Sequence, residues 1–175
     1  MTDSNTAVTF LPDGNICTPK GFRASGIHCG LRRNKTKKDL ALIVSDVPAA
    51  AAAVYTLNAV KGAPIAVTKA NIADGRAQAM LCNSGNANTC NADGVEKAQA
   101  MCNLAAQALG IEPQDVVVAS TGVIGQTLKV GVIEEGMPAL YAALEHSEAA
   151  SDAAAHAIMT TDTVKKELAV ETVIG

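Results

Sequence analysis

The sequence predicts an α/β fold, and three observations carry that reading. Strand-like segments recur along the chain, at Asp39–Ser45, Gln78–Cys82, Val116–Ala119 and Leu168–Ile174. Between the second and third of them, Val95, Ala98, Met101, Cys102, Ala105, Ala108 and Leu109 repeat at helical spacing and define one apolar face. Hydrophobic residues make up 49% of the 175, enough for a packed core, while aromatics are only 2%. Such a core is built from Ala, Val, Ile and Leu and packs through close backbone approach.

The elements follow in order. Residues 1–40 are rich in turn formers, with Pro12-Asp13-Gly14-Asn15, which can close a short hairpin, and then Pro19-Lys20-Gly21. Asp39–Ser45 reads as a largely buried strand, ended by Asp46 and Pro48. Val54–Leu57 and Ile65–Val67 read as two more short strands, split by Lys61-Gly62-Ala63-Pro64. Thr68 can cap a short helix ending at Gly75, after which Gln78–Cys82 returns as a strand. Asn91 or Asp93 can cap the main helix, and Gly110 sits where a left-handed C-terminal residue belongs. Val116–Ala119 is a β-branched strand leading into Ser120–Gly125. A helical region over about 130–144 contains Pro138, where a break is expected. Ser151 can cap a further helix through about Met159, and Leu168–Ile174 alternates as a half-buried strand does. The chain stops inside that pattern, as a processed or truncated chain would.

Several classes of function are disfavoured. A net charge of -3 gives no electrostatic reason to expect nucleic acid or an anionic membrane as partner. The one basic run, Arg32 to Lys38, is short, ends at Asp39 and reads as a solvated loop, an anionic ligand being the alternative. The apolar run at Ala49–Val54 is too short to span a bilayer. Met1–Asn5 lacks the basic and then apolar stretches of a signal peptide, which points to the cytoplasm. The cysteines Cys17, Cys29, Cys82, Cys90 and Cys102 are odd in number and lack Cys-x-x-Cys spacing, so no metal site is expected. They read as free thiols, Cys102 within the helix core, and none has the basic neighbour that a nucleophilic thiolate needs.

Three segments combine tight turns with polar side chains beside strand or helix ends, where sites collect. Asn83-Ser84-Gly85-Asn86-Ala87-Asn88-Thr89 either lets backbone approach a ligand or is a plain turn with a helix cap. Ser120-Thr121-Gly122-Val123-Ile124-Gly125 can gather hydroxyl and N–H donors around one point, as acyl transfer needs, or is simply a strand-to-loop turn. Ala157-Ile158-Met159-Thr160-Thr161-Asp162-Thr163 sets three hydroxyls and a carboxylate at a helix end, or is a capped terminus. His28, His146 and His156 all lie outside these turns, His156 reading as a helix-surface residue, so a Ser–His–Asp triad is not supported.

Taken together, these segments resemble the ornithine acetyltransferase (glutamate N-acetyltransferase) family. Asn83–Asn88, Ala119–Gly125 and Ala157–Thr163 carry the likeness, with Lys61-Gly62-Ala63-Pro64-Ile65 and Pro19-Lys20-Gly21-Phe22 in support. The resemblance implies a layered α/β sandwich shared with self-processing aminopeptidases. It makes residues 1–175 a single α-chain region, completed by a β chain cut from the same precursor in an α2β2 heterotetramer. It implies a ping-pong transfer of acetyl from N2-acetylornithine to glutamate in arginine biosynthesis. The nucleophile is then the β chain's N-terminal threonine, no cofactor is needed, and acetyl-CoA is an optional co-substrate. By motif, Thr121 and Gly122 take the oxyanion role and Thr160 the substrate-binding role. The family's glycine-rich segment with a substrate-binding lysine, and the cleavage site, have no counterpart in this sequence. A same-fold aminopeptidase and a non-catalytic ligand-binding remnant are the alternatives; Met159-Thr160-Thr161-Asp162-Thr163 favours the transferase.

Overall fold

The structure, a computed structural model, describes residues 8–174. The stretch read above for a targeting signal lies outside them. Four strands form the main sheet in the order β2 (Phe22–Ile27), β3 (Leu40–Ala50), β4 (Arg76–Asn86) and β5 (Val116–Val123). β2, β3 and β4 run antiparallel to their neighbours, whereas β4 and β5 are parallel. A parallel pair needs a long crossover, which helix α2 (Gly94–Leu109) supplies. The remaining helices are α1 (Pro64–Asn71), α3 (Val130–Ala142) and α4 (Glu148–Ile158). The strand pair β1 (Val8–Leu11) and β6 (Ala169–Thr172) joins the two ends of the described chain in a separate antiparallel ribbon.

Strand alternation decides which helix covers which face. Leu40, Leu42, Val44, Leu81, Val116 and Val118 point to one side and pack with Met101, Cys102, Ile133 and Leu140. The intervening Ala41, Cys82 and Ala119 point to the other side and meet Ala150, Ala154 and Ala157 of α4. Small residues on both surfaces let that helix settle close to the sheet. At Gly26 of β2 an added Cβ would stand 2.1 Å from the Ala153 carbonyl oxygen, so only glycine fits. The alanine-rich composition is thus the material of this α4 interface.

Several sequence expectations hold: the strand at Asp39–Ser45 is largely buried, α2 carries the predicted face, and Gly110 ends it at φ 69°. On that face Val95 is the exception, being exposed, and Asp93 occupies the N-cap position without a side-chain hydrogen bond. Others are corrected. Pro12–Asn15 makes a turn, but β1 pairs with β6 and forms no hairpin there. β3 runs through Asp46 and Pro48, because the β3–β4 ladder shifts register between Val44 and Ala49, where a proline is tolerated. Val54 and Leu57 are 99% exposed and belong to no strand. Ile65–Val67 is the start of α1, since Pro64 at its first turn loses no needed N–H. Thr68 lies inside that helix, its hydroxyl donating to the Val118 carbonyl at 2.9 Å and accepting from the Val118 N–H at 3.0 Å.

Two helix ends also differ. Pro138 does not break α3, because it and Glu134, whose carbonyl loses a partner, are both on the solvent side. Ser147, not Ser151, caps α4, accepting from the Ala150 N–H at 3.1 Å. Ser151 is buried one turn on, accepting from Ile16 N–H and donating to Glu167. Among the described residues no helix is long and apolar enough to cross a membrane.

Candidate active site

The two central motifs turn out to be strand ends. β4 continues through Asn83-Ser84-Gly85-Asn86 and β5 through Ser120-Thr121-Gly122-Val123, so the segments read as loops extend the parallel ladder. Their register sets Asn83 beside Ser120, Ser84 beside Thr121 and Gly85 beside Gly122. Strand alternation then sorts the polar groups. Asn83 and Ser120 share one face, where the serine hydroxyl donates to Asn83 Oδ1 at 2.6 Å. Asn83 Nδ2 donates to the Asn86 carbonyl at 3.0 Å, fixing the turn that leaves β4. Asn86 Nδ2 reaches the Gln126 carbonyl at 2.8 Å and ties the exit of β5 to the same turn.

Ser84 and Thr121 lie on the opposite face, the one covered by α4. The Ser84 hydroxyl donates to the Ala157 carbonyl in the last turn of that helix. Three residues later comes Thr160. Thr121 is thus in register with Ser84, whose hydroxyl bonds the last turn of the helix that Thr160 follows. Among the described residues the half-buried Thr121 hydroxyl has no protein hydrogen-bond partner. Gly122 has φ 131° and Gly85 φ 102°, backbone conformations that favour glycine.

Thr160 lines a pocket of about 330 Å3 together with Arg32, Lys37, Lys38, His156 and Asp162; Thr121 and Gly122 are not among its lining residues. The pocket's carboxylates already have cationic partners. Asp162 pairs with Lys166 at 2.6 Å, and that hydrogen bond chiefly holds its carboxyl below the usual value. Asp152 pairs with Lys165 at 3.0 Å and with His156 at 3.1 Å, the lysine hydrogen bond being the larger cause of its lowered pKa. His156 is exposed on α4, as the sequence suggests.

Arg32 was expected in a solvated loop. Residues 33–37 are exposed, but Arg32 itself is half-buried and structural. The fully buried Asp39 accepts from the backbone N–H groups of Cys29 at 2.6 Å and Arg32 at 2.9 Å, with His28 Nδ1 at 3.0 Å. So anchored, the arginine side chain passes over Gly85, where an added Cβ would meet Arg32 Cγ at 3.0 Å. Its guanidinium then donates to the Met159 carbonyl, beside Thr160. Arg32 and Ser84 are the site residues that the sequence did not single out individually.

Four of the thiols, Cys17, Cys29, Cys82 and Cys102, are not activated for nucleophilic work. All five cysteines are free, and burial pushes Cys82 to about 12 and Cys102 to about 11. Cys29 is also raised to about 12, by burial and then by the Asp39 charge. A raised pKa is the opposite of thiolate activation.

Comparison with known proteins decides the family. Residues 23–175 match the model of the ArgJ family. The chain belongs to the ArgJ family. Two arginine biosynthesis bifunctional proteins ArgJ are each 47% identical to this ArgJ-family chain. That of Bacillus cereus matches over 170 residues, 96% of this chain and 41% of the relative, and that of Symbiobacterium thermophilum over 164, 93% and 40%. The chain thus spans about two fifths of the curated relatives it matches. Two crystal structures superpose on it. ArgJ from Bacillus halodurans has a TM-score of 0.90 at 42% identity, over 97% of this chain and 88% of that one. The ornithine acetyltransferase of Mycobacterium tuberculosis, complexed with ornithine, gives 0.86 at 32% identity, over 97% and 95%. The α/β architecture is therefore that of solved ArgJ-family relatives.

Proposed function

We propose that this chain is the α chain of an enzyme that moves the acetyl group from N2-acetylornithine to glutamate. The observation that carries the reading is the Thr121–Gly122 strand end, linked through Ser84 and Ala157 to the Thr160 turn in an ArgJ-family chain. The lengths of the relatives support a divided enzyme. The chain covers two fifths of the curated ArgJ proteins but 88% and 95% of the crystallised chains. In this reading the remaining part supplies a β chain whose N-terminal threonine is the nucleophile, and two copies of each chain assemble as α2β2.

The chemistry follows from the donors. The threonine hydroxyl attacks the acetyl carbonyl of N2-acetylornithine, its own free amine taking the proton. Negative charge then develops on the carbonyl oxygen. Thr121 Oγ1 and the Gly122 N–H stabilise it, and because both sit on a strand they need not reorganise as the charge appears. The C–N bond breaks, ornithine leaves with the proton, and the glutamate amine attacks the resulting ester by the same route. Thr160 holds substrate in the pocket that it lines. No cofactor takes part, the enzyme works in the cytoplasm, and use of acetyl-CoA as a second acetyl donor is what would distinguish a bifunctional from a monofunctional enzyme.

The family match and both solved neighbours favour this transferase over a same-fold aminopeptidase. Expressing the full gene product tests it: mass spectrometry should find two chains, the second beginning with threonine, and the pair should acetylate glutamate from N2-acetylornithine. A single uncut chain, or release of free acetate only, would refute the proposal.

A further inference from the structure

We propose that Arg32 is a positioning residue for the transfer, clamping the Met159–Thr160 turn against the strand ends that carry Thr121 and Gly122. The inference rests on the reading of Thr160 as a substrate-binding residue. Nothing in the motifs pointed to Arg32, because it opens a run of cations of which residues 33–37 are solvent-exposed.

Three features make it a clamp. The backbone is fixed at one end, since the Arg32 N–H donates to buried Asp39 at 2.9 Å. The aliphatic stem crosses Gly85, the residue in register with Gly122. The guanidinium donates to the carbonyl of Met159, which has already left the helix at φ -66°, ψ 141°. That carbonyl has no intrahelical role, so the bond sets the direction in which the chain leaves α4. The turn's own bond, from the Thr160 N–H to Asp162 Oδ2, is long at 3.4 Å and holds it weakly. Guanidinium planarity matters less here than reach and charge, so lysine is the conservative replacement.

The test uses the processed full-length enzyme and a double-mutant cycle. Arg32→Met keeps the stem over Gly85 and removes every donor; Arg32→Lys restores one. Arg32→Met should raise KM for N2-acetylornithine roughly tenfold with kcat changed less than about threefold, and Arg32→Lys should recover most of the loss. If Arg32 acts through Thr160, adding Arg32→Met to Thr160→Ala should worsen kcat/KM by no more than about twofold. Should Arg32→Met fail to cleave or fold, the same cycle with Arg32→Gln, too short to keep the bond to Met159, carries the comparison. Fully additive losses, or a kcat defect without a KM change, would overturn the positioning role. Wild-type enzyme that moves no acetyl group would instead overturn the functional reading on which it rests.

Discussion

Gly122 faces Gly85 across the parallel β4–β5 pair, so close that a Cβ on Gly122 would stand 2.4 Å from the Gly85 carbonyl carbon. The two glycines let the strand ends approach more closely than a side chain at Gly122 would allow. Gly122→Ala adds both this clash and the strain of a β-carbon at φ 131°. It should cost at least about 2 kcal/mol in the assembled enzyme. Urea denaturation of purified variant and wild type measures the difference; equal midpoints would mean that the strands do not approach this closely.

Thr160→Ala should act mainly on binding. Thr160 follows the end of α4 and lines the 330 Å3 pocket, whose lining residues do not include Thr121 or Gly122. KM for N2-acetylornithine or glutamate should rise by roughly an order of magnitude while the acylation rate changes by less than about threefold. Steady-state and single-turnover kinetics separate the two. The reverse pattern would move Thr160 into the catalytic group.

The sequence points to these motifs as a candidate site, but their conformation was not legible in it. Ser120-Thr121-Gly122 and Asn83-Ser84-Gly85 look like loops because glycine and small polar residues are poor strand formers, yet each strand supports the other in a parallel ladder. That support is non-local and leaves no periodic trace. The same holds for β2, whose Ala24 and Gly26 make sense only beneath α4. Ile65–Val67 misled in the other direction: its β-branched run is overridden by Pro64 in the first turn of a helix. The main helix was legible because its face, its start and its terminal Gly110 all agree locally.

Buried thiols give the chain a distinctive alkaline behaviour. Cys29 and Cys82 ionise at about 12 and Cys102 at about 11 in the folded chain, against an ordinary 9.0. Above pH 9 the unfolded thiols lose protons while the folded ones keep them, so deprotonation favours unfolding. Their contribution is fully present below pH 9 and declines as pH rises towards the folded values. Urea midpoints measured from neutral to alkaline pH should show this fall, and Cys82→Ala should make it shallower. An unchanged slope in that variant would contradict the burial of this thiol. No cysteine variant that folds should lose acetyl transfer.

Expressed without the β chain proposed for it, the chain should associate or bind a hydrophobic dye. Phe10, Leu57 and Ile124 are 70%, 99% and 61% exposed, and Met80 lies on the sheet face beyond the reach of α4. Apolar surface of this extent favours association. Sedimentation velocity checks it; a monodisperse, dye-silent monomer would count against the divided enzyme.

The central claim is that Thr121 stabilises the acyl oxyanion. The direct measurement is the single-turnover rate of acetylation of processed Thr121→Ala enzyme by N2-acetylornithine, with cleavage into two chains first verified on a gel. Losing one such donor costs about 2.7–4 kcal/mol of barrier, so acetylation should slow by roughly two to three orders of magnitude. Thr121→Ser, which keeps the hydroxyl, should retain much of the wild-type rate. A fully processed Thr121→Ala enzyme that acetylates as fast as wild type would show that this strand end is not the oxyanion hole.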